Sequence, residues 1–399
     1  ALDPAVDVVL HLGDYIYEYG PDGYGGASGR AMGREHQPPR EIVSLDDYRQ
    51  RHAQYKADPQ SQMMHAAHPL IAIWDDHEST NNSWREGAEN HQPETEGDWA
   101  TRREQSLQAY YEWMPVREPG MGLGRDQYWR HYRFGDLASL VTLETRLTGR
   151  DEQLDYAEFQ ELLQTREGVG AFMQQHLNAP GRRMLAPEME AFLDQALRES
   201  VAADRPWRII GNQIPMARSY IPQITDEHLQ QLAIDENHPL YDEAQSFKAL
   251  GPARLPMFLD AWDGYPWARE RFYQLSRNAG AEDLLVVTGD SHAFWQNQLF
   301  DSDGKPIGLE LGTSGITSPS AFASLGKEGA ALMDTLVAQA SPEILWTEGL
   351  THGYVRLTLT PAEATVDYVG VSTVKERAYQ PVNVRQTRIT RKGGQLNYV

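Results

Sequence analysis

Residues 6–17, VDVVLHLGDYIY, set the architecture of the chain. Val6, Val8, Val9, Leu10 and Leu12 form a short, mostly β-branched run that stops at Gly13-Asp14. Such a run reads as a strand buried within a sheet, delivering a carboxylate at its C-terminal edge. The arrangement recurs at residues 69–74 before Asp75-Asp76-His77, at 207–210 before Gly211-Asn212-Gln213, and at 284–288 before Gly289-Asp290-Ser291-His292. Each apolar run therefore ends in polar, ligand-type residues, and open α/β sheets gather their ligands at the carboxyl ends of strands.

Helical stretches are expected at residues 45–56, 99–113, 187–203 and 254–278. The alternation of strand and helix implies an α/β protein with parallel pairing. Residues 128–134 with 137–143, and 353–360 with 363–369, are joined by short turns and read as antiparallel pairs, so a mixed sheet or sandwich is expected. The polar, Gly- and Pro-bearing stretches 20–40 and 85–98 lack periodicity and read as loops facing a substrate. There are no internal repeats.

Thirty-six Lys and Arg stand against 57 Asp and Glu, a formal charge of -21 that repels nucleic-acid backbones and anionic membrane surfaces. A small anionic substrate would have to be drawn by local cations such as bound metal ions. No apolar run is long enough to span a bilayer, and the absence of cysteine removes disulfides and thiolate ligands. The chain enters its first strand almost at once from Ala1, without the charged and apolar regions of a signal peptide, which reads as a truncated beginning. Nothing in the sequence speaks to oligomeric state.

Three motifs carry chemistry. Gly13-Asp14 with Tyr17 three residues on offers a carboxylate and a phenol from one loop, and a bridging carboxylate suits a two-metal centre. The pattern is similar to the Gly-Asp-x-x-Tyr of purple acid phosphatases, whose tyrosine ligates ferric iron. Asp76 and His77, in Trp74-Asp75-Asp76-His77-Glu78, resemble the Asn ligand and the leaving-group histidine in the Gly-Asn-His-Glu segment of metallophosphoesterases, with a helix-capping aspartate as the structural alternative. Asp290 and His292 emerge on one side of an extended loop, as in the superfamily's closing Gly-His-x-His, and suit a hard or borderline cation. Each motif alone is commonly a turn. Three in this order, each directly after an apolar strand, favour a metal centre.

LHLGDYIYEYG, WDDHESTNN, IIGNQIPMAR, VVTGDSHAFW and LGTSGITSP together resemble successive signatures of the alkaline phosphatase D family, within the calcineurin-like metallophosphoesterases. The resemblance implies a four-layer α/β/β/α fold, a β-sandwich of mixed sheets flanked by helices. It also implies hydrolysis of phosphate monoesters and often diesters, a centre of ferric iron (Fe3+) with calcium (Ca2+), and export to the periplasm or beyond. Asp14 and Tyr17 match the iron-binding loop, Asp76 the second carboxylate, and Asp290 with His292 the late ligand pair. Asn82 and Asn212 are weaker ligand candidates, since an amide there is more often a loop hydrogen-bonder. Arg146 sits where the family tends to have Asp-x-Arg, with Glu144 in place of the Asp; it is either a clamp for phosphate or half of a structural salt bridge. Trp295 is expected to pack over the site, and His11, His36, His65, His68 and His352 to be structural or solvent-facing.

The family's early Gly-Ser-Cys strand and its preceding β-domain have no counterpart in this sequence. Residues 1–399 are accordingly expected to form the catalytic domain without them. Two rival readings stay open: a phosphodiesterase or phospholipase using the same centre, and a metal-binding fragment without activity.

Overall fold

The computed structural model describes residues 3–399; Ala1 and Leu2, at the start of the supposed truncation, lie outside them. The four apolar runs become strands Val9–His11, Leu70–Ala72, Trp207–Gly211 and Leu284–Thr288. All pair in parallel, but in two separate sets: Val9 stands opposite Leu70, and Arg208 opposite Leu284.

The second set belongs to a seven-stranded sheet ordered Ile344–Glu348, Phe294–Phe300, Pro306–Gly312, Leu284–Thr288, Trp207–Gly211, Ala138–Thr142, Arg130–Phe134. Its centre is parallel and its flanks antiparallel. Gly353–Leu359, Glu363–Val371, Pro381–Lys392 and Gln395–Tyr398 make a four-stranded antiparallel sheet. Both expected hairpins are present.

Uniformly apolar strands follow from burial on two faces. Val141, Ile210 and Val286 face helices Pro187–Ala202 and Pro266–Asn278 through Met189, Leu193 and Phe272. Their neighbours Leu140, Ile209 and Leu285 point the other way, as strand pleating requires, to meet Ile71 and the inner face of the antiparallel sheet at Val366, Tyr368 and Ile389. Outside the Val9–His11 pair, helices Leu45–Lys56 and Trp99–Trp113 pack Tyr48, Leu107 and Tyr110 against Leu12, Ile73 and Trp74. The layers run helix, sheet, sheet, helix, as expected.

Some local expectations fail. The single helix expected over 254–278 begins at Pro266, preceded by a 3-10 turn at Trp262–Gly264. Pro256 and Pro266 interrupt the amide ladder, and proline at a first helical position starts a helix rather than continuing one. The stretch 20–40 contains the helix Gly26–Met32, and 85–98 holds the strand Gly87–Ala88 and the one-turn helix Pro93–Glu96.

His52, on the Leu45–Lys56 helix, is fully buried edge-on to Tyr110, and among the described residues neither ring nitrogen has a hydrogen-bond partner. Burial, with Lys56 nearby, pushes its pKa from 6.5 down to about 3. The unfolded chain therefore takes up a proton first, and stability falls as pH drops from 6.5 towards 3, by about 1.4 kcal/mol for each unit. His52→Phe keeps the ring and removes the proton site, so its Tm should decline less steeply than that of the wild type between pH 6.5 and 4. Parallel Tm curves would contradict a neutral, buried His52.

Candidate metal centre

The loops following the first two strands meet at Gly13. Its φ is 105°, and a Cβ there would stand 2.3 Å from the Asp75 nitrogen, so a side chain is excluded on both counts. Glu78 ties the loops together: Oε2 accepts the N–H groups of Asp14 (3.1 Å) and Asp75 (2.8 Å), and Oε1 accepts that of Tyr15. Burial and the Asp14 charge push Glu78 up to about 8 against the pull of those amides.

Four of the nine residues singled out in the sequence adopt left-handed backbone: Asp14 (φ 56°), Asn82 (49°), Asp290 (61°) and His292 (54°). Non-glycine residues seldom sit there, at a cost of roughly 1–3 kcal/mol each when they do, and such strain concentrates at functional sites.

Asp14, Asp76 and His77 each offer an atom within 4.8 Å of the others, and so do Asp75, Asp76 and Asp290. Asp76 belongs to both groups. Tyr17 Oη donates to Asp14 Oδ2 (3.1 Å) and lies 2.8 Å from His292 Nε2, itself 3.6 Å from Asp14 Oδ2. The five residues matched to metal ligands thus converge from three distant segments. Asp14 Oδ1 and Asp76 Oδ1 are buried and, among the described residues, have no hydrogen-bond partner. Leaving carboxylate oxygens in that state is costly, and a hard cation is the partner that such oxygens suit.

The two asparagines differ. Asn82 reaches the centre by its backbone N–H, which donates to Asp76 Oδ2 (2.7 Å), while its side chain donates to Glu89 (2.6 Å). Asn212 has both amide ends engaged in the fold, donating to Ile214 O (2.6 Å) and accepting from Trp262 Nε1 (3.2 Å).

Arg146 is fully buried and makes a two-pronged pair with Asp75. Nη2 also donates to Asp290 Oδ1 (3.0 Å) and lies 3.6 Å from Asp76, while Nη1 lies 3.8 Å from Asp260 and has no hydrogen bond among the described residues. Glu144 folds the turn carrying Arg146 by accepting from the N–H groups of Arg146, Leu147 and Thr148 and from Trp74 Nε1.

Carboxylates outnumber the guanidinium they surround. Burial, then Asp260 and Asp75, push Asp290 well above the carboxylate range, and burial pushes Asp75 up to about 7. Burial acts on Asp76 too, yet Arg146 and His77 hold it below its usual value. A buried excess of negative charge is what bound cations offset.

His77 stacks on Tyr17, ring centroids 4.3 Å apart, and its Nδ1 is 2.7 Å from Glu18 Oε2. Glu18 is fully buried and also accepts from Asn81 N and Asn90 Nδ2, both at 2.9 Å. Burial disfavours the imidazolium, but Asp76, Glu18 and Asp14 raise the His77 pKa well above its ordinary value. Tyr24, from the 20–40 stretch, stacks on Tyr17 and donates to Pro319 O, the same carbonyl that lies 3.0 Å from His292 Nδ1. Trp295 packs behind the 290–292 loop and donates to Ser291 Oγ (2.6 Å).

The sequence family described as PhoD-like phosphatase matches residues 1–368. The chain belongs to that family. It is 33% identical over 369 residues to alkaline phosphatase D of Bacillus subtilis (strain 168), an alignment covering 91% of this chain and 54% of that protein. A solved structure of PhoD superposes with a TM-score of 0.73 at 29% identity, covering 98% of this chain and 66% of the other. The chain spans about half the length of the curated relative.

Within this PhoD-like centre, sequence reasoning passed over Glu18, Asp260 and the roles of Asp75 and Glu78. Glu18 lies within LHLGDYIYEYG, and Asp75 and Glu78 within WDDHESTNN, but the partners of these carboxylates are visible only once the loops are folded together; Asp260 lies outside every motif. His11, His36, His65, His68 and His352 stand outside both ligand groups, and His11 accepts the Gly13 N–H at 3.3 Å as part of the turn.

Gly13→Ala should separate the two loops, lowering Tm by several degrees and metal uptake with it, both measurable by thermal melts and metal analysis. An unchanged Tm with full metal uptake would show that the close approach to Asp75 is not required.

Proposed function

We propose that this PhoD-like chain is the catalytic unit of a phosphoesterase that hydrolyses phosphate monoesters at a multi-metal centre. Asp14, Tyr17, Asp76, Asp290 and His292 would hold the ions. The sharing of Asp76 between two ligand groups, with orphaned buried oxygens on Asp14 and Asp76, is the observation that carries this reading. The phenol and imidazole side suits ferric iron and the carboxylate side calcium. The family reading also puts the protein in the periplasm or outside the cell. No helix among the described residues is long and apolar enough to cross a membrane.

Bound ions would supply Lewis-acid polarisation of phosphoryl oxygens and a water of lowered pKa. The chain's own residues do the rest. His77, held at Nδ1 by Glu18 and kept in plane by Tyr17, turns Nε2 to the departing alkoxide and gives it a proton. Arg146 keeps Asp75 and Asp290 in place and offsets part of the carboxylate charge around the site. Asn82 orients Asp76 through its amide, and Glu78 holds the loop carrying Asp14.

Phosphate release from p-nitrophenyl phosphate after metal addition tests the reading, and full activity surviving Asp14→Ala would contradict it. Asp76→Ala should lower the content of both metals, whereas Asp14→Ala should spare the calcium. Tyr17→Phe should abolish any visible phenolate-to-iron absorption. Equal metal content in Asp76→Ala and wild type would remove the role of Asp76 in both ligand groups.

His77→Ala should lower kcat about 100-fold on alkyl phosphates, in the range of lost general acids, and much less on p-nitrophenyl phosphate, whose leaving group needs no proton. A uniform loss on both esters would make His77 a structural residue.

A further inference from the structure

Behind the loop that carries Asp290 and His292 lies a cavity of about 200 Å³. Ser291, between those two residues, forms part of its wall, and so does Phe258, two residues before Asp260. Ser320, next to the Pro319 carbonyl beside His292, lines it as well. Ser291 thus borders both the cavity and the proposed centre, while Phe258 and Ser320 lie close in the chain to Asp260 and Pro319, which touch Arg146 and His292.

Its interior is largely apolar. Phe258 meets Trp295 edge-on, with centroids 6.5 Å apart, and Phe322 and Val337 complete the lining. The one hydroxyl nearest the centre, on Ser291, is already engaged by the Trp295 N–H. The charged groups of the cavity are both acidic: Asp334, which accepts the Gly349 N–H at 3.2 Å, and Glu243. Burial pushes Asp334 up to about 6, and among the described residues no cation faces either carboxylate.

A concave apolar surface with a few placed polar groups is the ordinary form of a small-molecule site. With phosphate at the metal centre, an alcohol portion extending past Ser291 would enter this cavity. The two carboxylates act against a second anionic group, because discrimination is gained by repelling the wrong ligand as well as by holding the right one. We infer that the cavity is the leaving-group subsite and selects esters of aromatic or bulky aliphatic alcohols that carry no second anionic group. This rests on the phosphoesterase reading.

The test pairs binding with turnover. Binding of 2-(1-naphthyl)ethanol alone, followed by its fluorescence anisotropy, needs neither metal nor catalysis. Turnover is compared on 2-(1-naphthyl)ethyl phosphate and ethyl phosphate, whose leaving oxygens are chemically alike. Saturable binding is expected, with at least a ten-fold higher kcat/KM for the naphthyl ester. Ala321→Phe, at the exposed rim, should weaken alcohol binding and lower that ratio, each about ten-fold. Asp334→Asn should improve use of a naphthyl ester bearing a carboxylate relative to the uncharged one. Turnover of both esters with equal kcat/KM and no alcohol binding would overturn the subsite alone. Alcohol binding sensitive to Ala321→Phe, with no phosphate released from any ester by metal-loaded protein, would instead overturn the phosphoesterase reading and the leaving-group assignment with it.

Discussion

The buried carboxylate of Glu78 holds three backbone amides from two loops, and the spacing of the whole centre depends on it. Without that staple Asp14 and Asp75 would repel each other across a gap that Gly13 keeps as narrow as the backbone permits. The arrangement has a cost. Left-handed backbone at Asp14, Asp290 and His292 falls just past the packed strands Val9–His11 and Leu284–Thr288, and at Asn82 it aims the N–H that holds Asp76.

Charge explains the rest of the local design. Arg146 sits inside a ring formed by Asp75, Asp76, Asp260 and Asp290, and its position is set by Glu144, whose oxygens fold the preceding turn. One guanidinium does not balance that ring, and one oxygen each of Asp14 and Asp76 is buried without a hydrogen-bond donor among the described residues. A site with this imbalance is disposed to bind cations.

The sandwich brings these pieces together. The first parallel pair and the seven-stranded sheet pack through Ile71, Leu140, Ile209 and Leu285, so loops from two separately paired strand sets arrive at one edge. The same packing leaves the apolar hollow beside the 290–292 loop, bounded by a wall from the Gly326–Ala340 helix at Val337.

Much of this was legible in the sequence. The four apolar runs and the polar residues that end them are local facts, since a strand buried on both faces must be apolar throughout and can change character only where it leaves the sheet. The sequence therefore determined these four strands and two antiparallel pairs, the polar residues at the ends of the four, and the family that their motifs resemble, but not the strands Phe294–Phe300, Pro306–Gly312, Ile344–Glu348, Pro381–Lys392 and Gln395–Tyr398. It did not separate the pairing of Val9 with Leu70 from that of Arg208 with Leu284, because registers between distant strands are decided by long-range packing. Nor did it reveal that Asn212 is consumed by Ile214 and Trp262, or that Glu18 stands behind His77. Those assignments belong to the tertiary structure alone: whether an amide or carboxylate is a ligand, a staple or a positioning group depends on which partners burial leaves within reach, and chain spacing does not encode that.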